Sequence, residues 1–525
     1  MDPQVFLLDL MRVKFGLTAC FHYIFVPLTL GLAVIVACLE SAFAWTGVQA
    51  WRRAARFWFR LFALGWVLGV ITGYPLRAQL ADEWGRYSAY IKPLLGRILP
   101  IEAIIGPVML LGIVAIAALQ RGRHPKSCML VTWALVSVMV LQSVTILALN
   151  AWMQHPVGAA LGLQSAGVLA LQTFLLNPMA ISKVAHVLSA ALVCGSTLIC
   201  AVGVNYLYRR QHLDVARVSL RLGIPLGVAS TALIILTGHL SAEHVARYQP
   251  MKFAAFEGLW QQQRGPAGLI VFANPQPDLH SNRNAVEIPY LLSVLSGYGL
   301  SGSPPGIREV LADQEDKIRR SLAARPGEPV FADSQGPRQL YEQERARSDA
   351  GASEGDLVHR AALRTLPNVP VLFGGFHLMV SIGFGLFALY ALGLIFHERL
   401  RADRYRIVLL LLPWILPLPW LASFAGWIVA EAGRQPWVIY GYLPTSKAAQ
   451  MPLLGEEVYG MLALVAGYML LGMAFGLLSL RLIRRGPESP LLPVSWWQRI
   501  VRKPDDKGLS AAKFPASTAR PVAQT

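Results

Sequence analysis

Nine apolar runs, most of them about 20 residues or longer, are the feature that most constrains how this chain can fold. An apolar helix of about 20 residues spans the hydrocarbon core of a bilayer, and a chain inside lipid has to satisfy its own backbone hydrogen bonds. The runs therefore predict an all-α polytopic membrane protein with about nine transmembrane helices. The predicted spans are residues 16–45, 55–75, 97–119, 127–152, 178–207, 217–239, 367–396, 405–430 and 455–483.

Composition and charge placement agree with a membrane protein and argue against a nucleic-acid partner. Of the 525 residues, 54% are hydrophobic and only 15% are charged, whereas a soluble protein carries about 25% charged residues. The net charge is +17, but the Lys and Arg residues lie in short loops after spans one, three, five, seven and nine. By the positive-inside rule this alternation predicts an outer N-terminus and an inner C-terminus. The loop after span two, with Arg77, Arg86 and Lys92, departs from it.

The polar stretch 240–366 divides the chain into four predicted parts. Residues 1–239 hold helices one to six, 240–366 form a large outer loop, 367–483 hold helices seven to nine, and 484–525 form a flexible inner tail. The five cysteines lie in or beside apolar segments without metal-ligand spacing, which favours small buried residues over a disulfide framework. The N-terminus lacks the pattern of a cleaved signal peptide.

Five polar or sulfur-bearing residues fall within the outer half of the predicted spans. At about 1.5 Å of rise per residue, the predicted orientation puts them at similar depths. Each alone has an ordinary explanation, such as a helix–helix hydrogen bond for His or core packing for Met. Together, a His and a Met on facing helices suit the axial pair of a low-spin haem, and a nearby carboxylate can ligate a second iron or carry protons. The residues are His22, Glu102, His186, Met379 and Glu431.

Six longer motifs make the sequence similar to subunit I of the cytochrome bd-type quinol oxidases. Within that family it resembles the cyanide-insensitive oxidases. The resemblance extends from about residue 8 to residue 490. It implies that the 240–366 insertion is a long periplasmic quinol-binding loop between helices six and seven. The motifs are FGLTACFHYIFVPLTLG (15–31), LPIEA (99–103), LNAWMQHP (149–156), LNPMAISKVAH (176–186), QPMKFAAFEGLW (249–260) and GWIVAEAGRQPW (426–437).

The resemblance implies a set of iron ligands. His186 and Met379 match the axial ligands of the low-spin haem b. His22 matches the axial histidine of the oxygen-reducing haem pair, and Glu431 matches a carboxylate ligand in that pair. The resemblance leaves open which of high-spin haem b and haem d each of these two serves.

Further residues take roles in the same way. Glu102 matches a carboxylate beside the oxygen site and is expected to donate protons. Lys252 and Glu257 match residues of quinol oxidation. Arg434 matches an arginine near the haems, and Arg12 belongs to the expected cofactor-binding set.

The resemblance also implies an activity and a setting. The chain would oxidise quinol near the outer face and reduce O2 to water with three haems, generating a proton gradient without pumping. Its expected partners are subunit II, a small single-span subunit, quinol, O2 and lipid, in the bacterial inner membrane. Two alternatives stay open: a haem b electron-transfer protein with another acceptor, and a proton-coupled transporter. The sequence shows no internal repeat between its halves, which disfavours the transporter.

Four positions depart from the family pattern. Leu110 stands where a second carboxylate usually follows Glu102, and Arg77-Ala78-Gln79 replaces Glu-Phe-Gln. His377 replaces an Arg two residues before Met379, and His239 replaces an Asp before the quinol loop. These departures leave open the proton route and whether haem d or a second haem b is bound.

Overall fold

The computed structural model describes residues 3–122, 124–157, 174–324, 329–348, 351–396 and 412–487, and these are mostly helical. Seven helices have the length and apolarity needed to cross a membrane, which confirms the helical membrane architecture. The long helices are α1 (Pro3–Thr46), α2 (Gln49–Asp82), α3 (Gly85–Leu119), α4 (Pro125–Gln154), α5 (Pro178–Arg209), α6 (Leu213–Tyr248), α12 (Val369–Phe396) and α15 (Leu454–Arg485).

Two of the nine predicted spans coincide with shorter apolar helices. These are Ala103–Leu119, the second half of α3, and α13 (Leu418–Ala432). Residues 405–411 of the eighth predicted span lie outside the described residues. The count of nine therefore stays a prediction.

Several helices are longer than the apolar runs that predicted them. α1 begins at Pro3, α2 continues to Asp82, and α6 continues to Tyr248. Hydropathy marks only the part of a helix that is apolar enough for lipid, whereas the backbone hydrogen bonds continue into polar sequence. These extensions carry polar side chains, among them Lys14 and Gln79, beyond the apolar runs.

α1 is the central helix of the bundle and packs against α2, α4, α5 and α15. A methyl group on Gly31 would lie 2.1 Å from the Ala191 carbonyl oxygen, so α1 and α5 touch backbone to backbone. Such contacts through small residues are typical of membrane helix pairs. α5 and α6 form an antiparallel hairpin, and α12 packs on α6 and α13.

The insertion between α6 and α12 is folded. It contains one fully buried short helix, an antiparallel hairpin in which Leu269 pairs with Ile288, and four further helices.

The segment after α13 is fixed to the end of α4, because Tyr440 N donates to Met153 O at 2.9 Å. The smaller elements are α7 (Pro250–Glu257), β1 (Leu269–Gln276), β2 (Ser281–Ile288), α8 (Leu291–Leu295), α9 (Ile307–Ala323), α10 (Pro329–Arg347), α11 (Glu354–Leu363), β3 (Trp437–Ile439), β4 (Leu443–Pro444) and α14 (Thr445–Ala448).

The five cysteines lie in described helices and are free, with Cys128 and Cys194 buried. Residues 488–525 lie outside the described part of the chain, so the predicted flexible tail is not tested. The predicted four-part division likewise stays a prediction.

Candidate functional site

A threonine of α6 contacts the ring of His186 on α5 and favours one tautomer of that histidine. Its Nδ1 lies 3.3 Å from Thr237 Oγ1, and the Thr237 hydroxyl donates to Leu233 O at 2.8 Å. Because that hydroxyl proton is already used, the imidazole contact is satisfied when Nδ1–H donates to Thr237. The lone pair of Nε2 is then available to a metal, as in metal-ligating histidines with an oriented second nitrogen.

His22 on α1 has the same arrangement with α2. Its Nδ1 lies 3.1 Å from Thr72 Oγ1, and the Thr72 hydroxyl donates to Leu68 O at 2.8 Å. The same reasoning assigns the proton to Nδ1 and the free lone pair to Nε2. Two histidines from different helix pairs therefore have the same threonine contact at Nδ1 and the same free Nε2.

The contacts between α6 and α12 give the height of Met379. The two helices are antiparallel, and the ring of Tyr390 fills the space that a side chain on Gly227 would take. Met379 precedes Tyr390 by eleven residues, and Gly238 follows Gly227 by eleven. Eleven residues are about three helical turns, or about 16.5 Å along the helix axis. Met379 therefore lies on nearly the same face of α12 as Tyr390, and Gly238 on nearly the same face of α6 as Gly227. Met379 is therefore level with Gly238, whose added methyl group would lie 3.3 Å from the His186 ring.

A hydrogen bond between α5 and α12 gives the same result. Thr197 Oγ1 lies 2.8 Å from the Tyr390 hydroxyl. His186 precedes Thr197 by eleven residues, as Met379 precedes Tyr390, and both helices run antiparallel to α6. His186 and Met379 therefore occupy matching positions on two parallel helices, three turns from their contact.

Glu431 at the end of α13 accepts hydrogen bonds from two neighbouring elements. Asn150 Nδ2 of α4 donates to Oε1 at 3.0 Å, and Arg434 Nη2 donates to Oε2 at 2.5 Å. Gln154, one turn after Asn150, donates to Oε1 at 3.4 Å. The carboxylate is therefore fixed in orientation from both sides.

Two lysines join Arg434 around this single carboxylate. Lys183 Nζ donates to Asn150 Oδ1 and lies 5.1 Å above the Trp427 ring. Lys252 Nζ donates to Gln154 Oε1 at 2.6 Å and to Ala430 O at 2.9 Å. Lys252 and Arg434 are buried. Arg434 and Lys183 against one carboxylate leave an excess charge of +1 in this largely buried cluster, and the excess is +2 when Lys252 is also protonated. Either excess is costly without an anion.

Arg434 also has donors to spare. Its Nε and Nη1 are buried and have no hydrogen-bond partner among the described residues. A buried guanidinium with unused donors fits a carboxylate or phosphate in bidentate geometry. The cluster therefore suits an anionic group such as the propionates of a haem.

α13 connects this cluster to His22. Trp420 Nε1 donates to Ile24 O of α1 at 3.0 Å, and Tyr23 packs edge-on against Trp427 at 5.5 Å. Trp427 is also the ring that carries Lys183. His22 therefore lies on the α1 segment that packs against the helix bearing Glu431.

Lys252 and Glu257 both lie on the buried helix α7, outside the membrane-length helices. Burial lowers the pKa of Lys252 well below its ordinary value, and the nearby Glu431 carboxylate raises it in part. Burial raises the pKa of Glu257 to about 8. Glu257 is 3% exposed, and its Oε2 has no partner in the described part of the chain. The two residues are thus buried groups, and Lys252 belongs to the Glu431 cluster.

The remaining residues singled out in the sequence lie apart from this cluster or cannot be judged. Arg12 pairs with Asp9 at 2.9 Å near the N-terminal end of α1. Glu102 is in α3, but its side chain is outside the described set. His377 Nε2 lies 2.6 Å from Ile270 O and so joins α12 to the insertion. Leu110 is 51% exposed and faces away from the described bundle.

The sequence reasoning assigned no role to three residues that build the cluster. Asn150, Gln154 and Lys183 lie within two of the quoted motifs, yet only the histidine of the second motif was singled out. A usable signal existed for Lys183, because an ionisable residue inside a span is a functional candidate by default. Asn150 and Gln154 carry no such signal, because amides are common in helix contacts.

A bundle of membrane-length helices with oriented histidines, a level methionine and excess buried cations is typical of membrane-bound haem oxidoreductases. The chain belongs to the family described as cytochrome bd terminal oxidase subunit I, whose sequence model matches residues 10–487. This confirms the resemblance and the class of enzyme, a haem-containing respiratory oxidoreductase.

Individual relatives agree with the family assignment. The chain is 32% identical to cytochrome bd-II ubiquinol oxidase subunit 1 of Escherichia coli over 499 residues, covering 92% of this chain and 97% of the relative. It is 28% identical to cytochrome bd ubiquinol oxidase subunit 1 of Bacillus subtilis, covering 92% and 94%. The bd oxidase structure from Geobacillus thermodenitrificans shares the fold, with a TM-score of 0.74 at 22% identity, covering 91% of this chain and 98% of that chain.

Proposed function

We propose that this chain is the quinol-oxidising and O2-reducing subunit of a bd-type terminal oxidase in the bacterial inner membrane. It works with subunit II, and a small single-span subunit completes the complex. The observation that carries the proposal is the matching position of His186 and Met379, with the Nε2 lone pair of His186 made available by Thr237. The two relatives described above are named as ubiquinol oxidases, which supports a quinol as the substrate.

His186 and Met379 hold a low-spin haem b in this proposal. His22 and Glu431 serve a second pair, made of high-spin haem b with haem d or a second haem b. When bound, these groups supply one-electron transfer and O2 reduction. Arg434 and Lys183 neutralise the propionates, which accounts for the excess buried charge.

The insertion binds quinol at the outer face, which is periplasmic. Oxidation of one quinol releases two electrons and two protons. Glu257 accepts a proton when it is ionised, and Lys252 links the quinol site to the Glu431 cluster through Gln154. Protons released outside and consumed from the inside generate a gradient without pumping. Nine transmembrane helices, an outer N-terminus and an inner C-terminus complete the topology.

His186→Ala in the purified complex tests this function. We expect the low-spin haem b bands to disappear from the redox difference spectrum and quinol oxidation to stop, since Ala offers no iron ligand. His359→Ala is the matched control, because His359 is exposed on α11 and pairs with Glu315. An unchanged low-spin spectrum in His186→Ala would overturn the ligand assignment.

The same measurements on the wild-type complex separate the alternatives. A transporter shows no haem bands. A haem b electron-transfer protein with another acceptor shows haem bands but consumes no O2 with quinol.

A further inference from the structure

A buried cluster of three charges lies at the outer end of α1, apart from the Glu431 site. Lys14 Nζ is 2.7 Å from Glu83 Oε1 and 2.5 Å from Glu457 Oε2. Lys14 is 5% exposed and Glu457 is 2% exposed. The cluster joins α1, the residue that follows α2, and the first turn of α15. We call these three residues the outer triad.

The outer triad carries more negative charge than it neutralises. Two carboxylates and one ammonium give a net charge of −1 when all three are ionised. Glu83 Oε2 and Glu457 Oε1 are buried without a hydrogen-bond partner among the described residues. Gln79 Oε1, in the last turn of α2 just before Glu83, is also buried without a partner among the described residues. One carboxylate is enough to pair with Lys14 in a structural salt bridge, and its oxygens would be expected to have hydrogen-bond partners. A salt bridge alone therefore does not explain why a second carboxylate is present.

A file of polar groups leads from the outer triad towards His22. Lys14, Thr18 and His22 are four residues apart, so they share one face of α1. Thr18 Oγ1 donates to Lys14 O at 2.9 Å and accepts from Gln79 Nε2 at 2.8 Å. Thr18 is fully buried. The triad and His22 are thus about 12 Å apart along the helix.

We propose that the outer triad holds one exchangeable proton, which it takes up when an electron arrives at the haem bound by His22. This inference rests on the proposed function. One electron enters the haem, and one proton from the outer aqueous phase binds a carboxylate oxygen of Glu83, beside the negative charge of Glu457. The triad changes from −1 to 0, so the total charge of the region is conserved. Oxidation of the haem returns the proton.

Electrostatics favours this coupling. A charge about 12 Å away inside protein interacts strongly enough to change a proton equilibrium several-fold. Burial raises the pKa of Glu83, and the Lys14 ammonium opposes that shift in part. Glu457 and Asp82 are the other charges facing Glu83, and both raise the pKa further. A protonated carboxyl group would also supply a hydrogen-bond donor to the buried oxygens of Glu83, Glu457 and Gln79 that have no partner among the described residues.

The reduction equilibrium of the His22 haem tests the proposal, measured by spectroelectrochemistry on the purified complex from pH 6 to pH 9. In the wild type we expect the equilibrium constant for reduction to fall about two- to tenfold for each unit of rising pH, because each electron brings in up to one proton. In Glu457→Gln this dependence should be lost. Glu456→Gln is the matched control, since Glu456 is the exposed neighbour on the same helical turn.

An infrared redox difference spectrum supplies a second readout. We expect a protonated-carboxyl band that appears on reduction in the wild type and in Glu456→Gln, and that is missing or shifted in Glu457→Gln. If Glu457→Gln does not assemble, Glu83→Gln replaces it, because that variant removes one carboxylate and leaves the neutral ion pair of Lys14 with Glu457 in place.

The outcomes separate this inference from the function on which it rests. A wild-type complex without haem bands overturns the proposed function. A haem that persists in Glu457→Gln with unchanged pH dependence and an unchanged carboxyl band overturns the outer triad as a proton site, while leaving the oxidase function intact.

Discussion

Lys183, Lys252 and Arg434 put three basic groups around Glu431, and each group comes from a different element. In a protein without a cofactor such an arrangement would be destabilising, because removing charged groups from water costs several kcal/mol per ion. The unused donors of Arg434 point to the compensation, an anion that binds there. Charge balance therefore indicates the cofactor at the scale of single residues, before any iron ligand is considered.

Glu257 gives a prediction about pH. Its pKa is raised by burial to about 8, so it is mostly protonated at pH 7 and accepts a quinol proton only after ionisation. We expect kcat/KM for quinol to rise with pH up to about 8 and then to level off, since kcat/KM reports the ionisation of the free enzyme. Glu257→Gln should lower kcat/KM on the order of 100-fold and remove this rise.

The control for that profile is Glu354→Gln, an exposed carboxylate on α11, with haem spectra recorded for each variant. A pH profile that survives in Glu257→Gln would assign the ionisation to another group. The same pKa has a consequence for folding stability. Because the folded-state pKa lies above the ordinary value of 4.5, the Glu257 contribution to stability decreases as pH rises from about 4.5 to 8.

At the scale of helices, each of the three proposed iron ligands on a membrane-length helix faces a glycine of a neighbouring helix. A methyl group would lie 3.3 Å from the His22 ring at Gly73, 3.3 Å from the His186 ring at Gly238, and 2.7 Å from Met379 Sδ at Gly426. Glycine lets the backbones approach while the ligand side chain keeps its room. The helix spacing and the ligand positions are therefore set together.

Gly426→Ala tests this relation. The added methyl group would displace the Met379 sulfur, so we expect most of the low-spin haem b spectrum to be lost or converted to high spin. Ala is favoured over Gly by about 1 kcal/mol in a helix, so a spectral change would not come from a weaker helix. Gly385→Ala is the control on the Met379 helix, since its methyl group would meet open space. An intact low-spin spectrum in Gly426→Ala would contradict the placement of Met379.

The sequence predicted where most helices lie along the chain, but it did not predict the relative heights of those helices. Apolar runs identify α5 and α12, and counting from the predicted starts puts Met379 about four residues deeper than His186. The structure makes the two level, because the height of α12 is set by Tyr390 against Gly227 and Thr197. Such contacts join residues far apart in sequence, so hydropathy carries no information about them. The contacts of Asn150, Gln154 and Lys183 in the Glu431 cluster were missed for the same reason.

At the scale of the whole molecule, the polar groups of the site lie where the helices meet the insertion. α7 is a buried helix of the insertion, and its Lys252 donates to Gln154 of α4 and to Ala430 of α13. The hairpin of β3 and β4 follows α13 directly and bonds to the end of α4. Lys252 therefore makes a direct contact between the insertion and the helices that carry the proposed ligands. If the insertion binds quinol, as proposed above, this contact gives a short connection from the quinol to the Glu431 cluster.

The proton route from the inner side gives the last prediction, which concerns Glu102 and Leu110 on α3. Eight residues separate them, about 12 Å along the helix. Leu110 is 51% exposed, so the surface where the usual second carboxylate would stand faces outward from this chain, towards its partner subunit or lipid. We propose that a route through the partner supplies the protons that Leu110 cannot carry. Glu102→Ala should then lower O2 consumption on the order of 100-fold, the usual range for loss of a proton-transfer group.

Leu110→Glu should raise O2 consumption less than about twofold, because proton supply does not limit an enzyme with a working route. Leu111→Glu is the matched control, since Leu111 is the adjacent exposed residue at 69% and tests the cost of a carboxylate on this surface. That cost is about 2.5–3.5 kcal/mol for a charge at the centre of a membrane helix, so haem content has to be checked in both variants. A large gain in Leu110→Glu without a gain in Leu111→Glu would mean that the native enzyme is limited by protons, and that no substitute route exists.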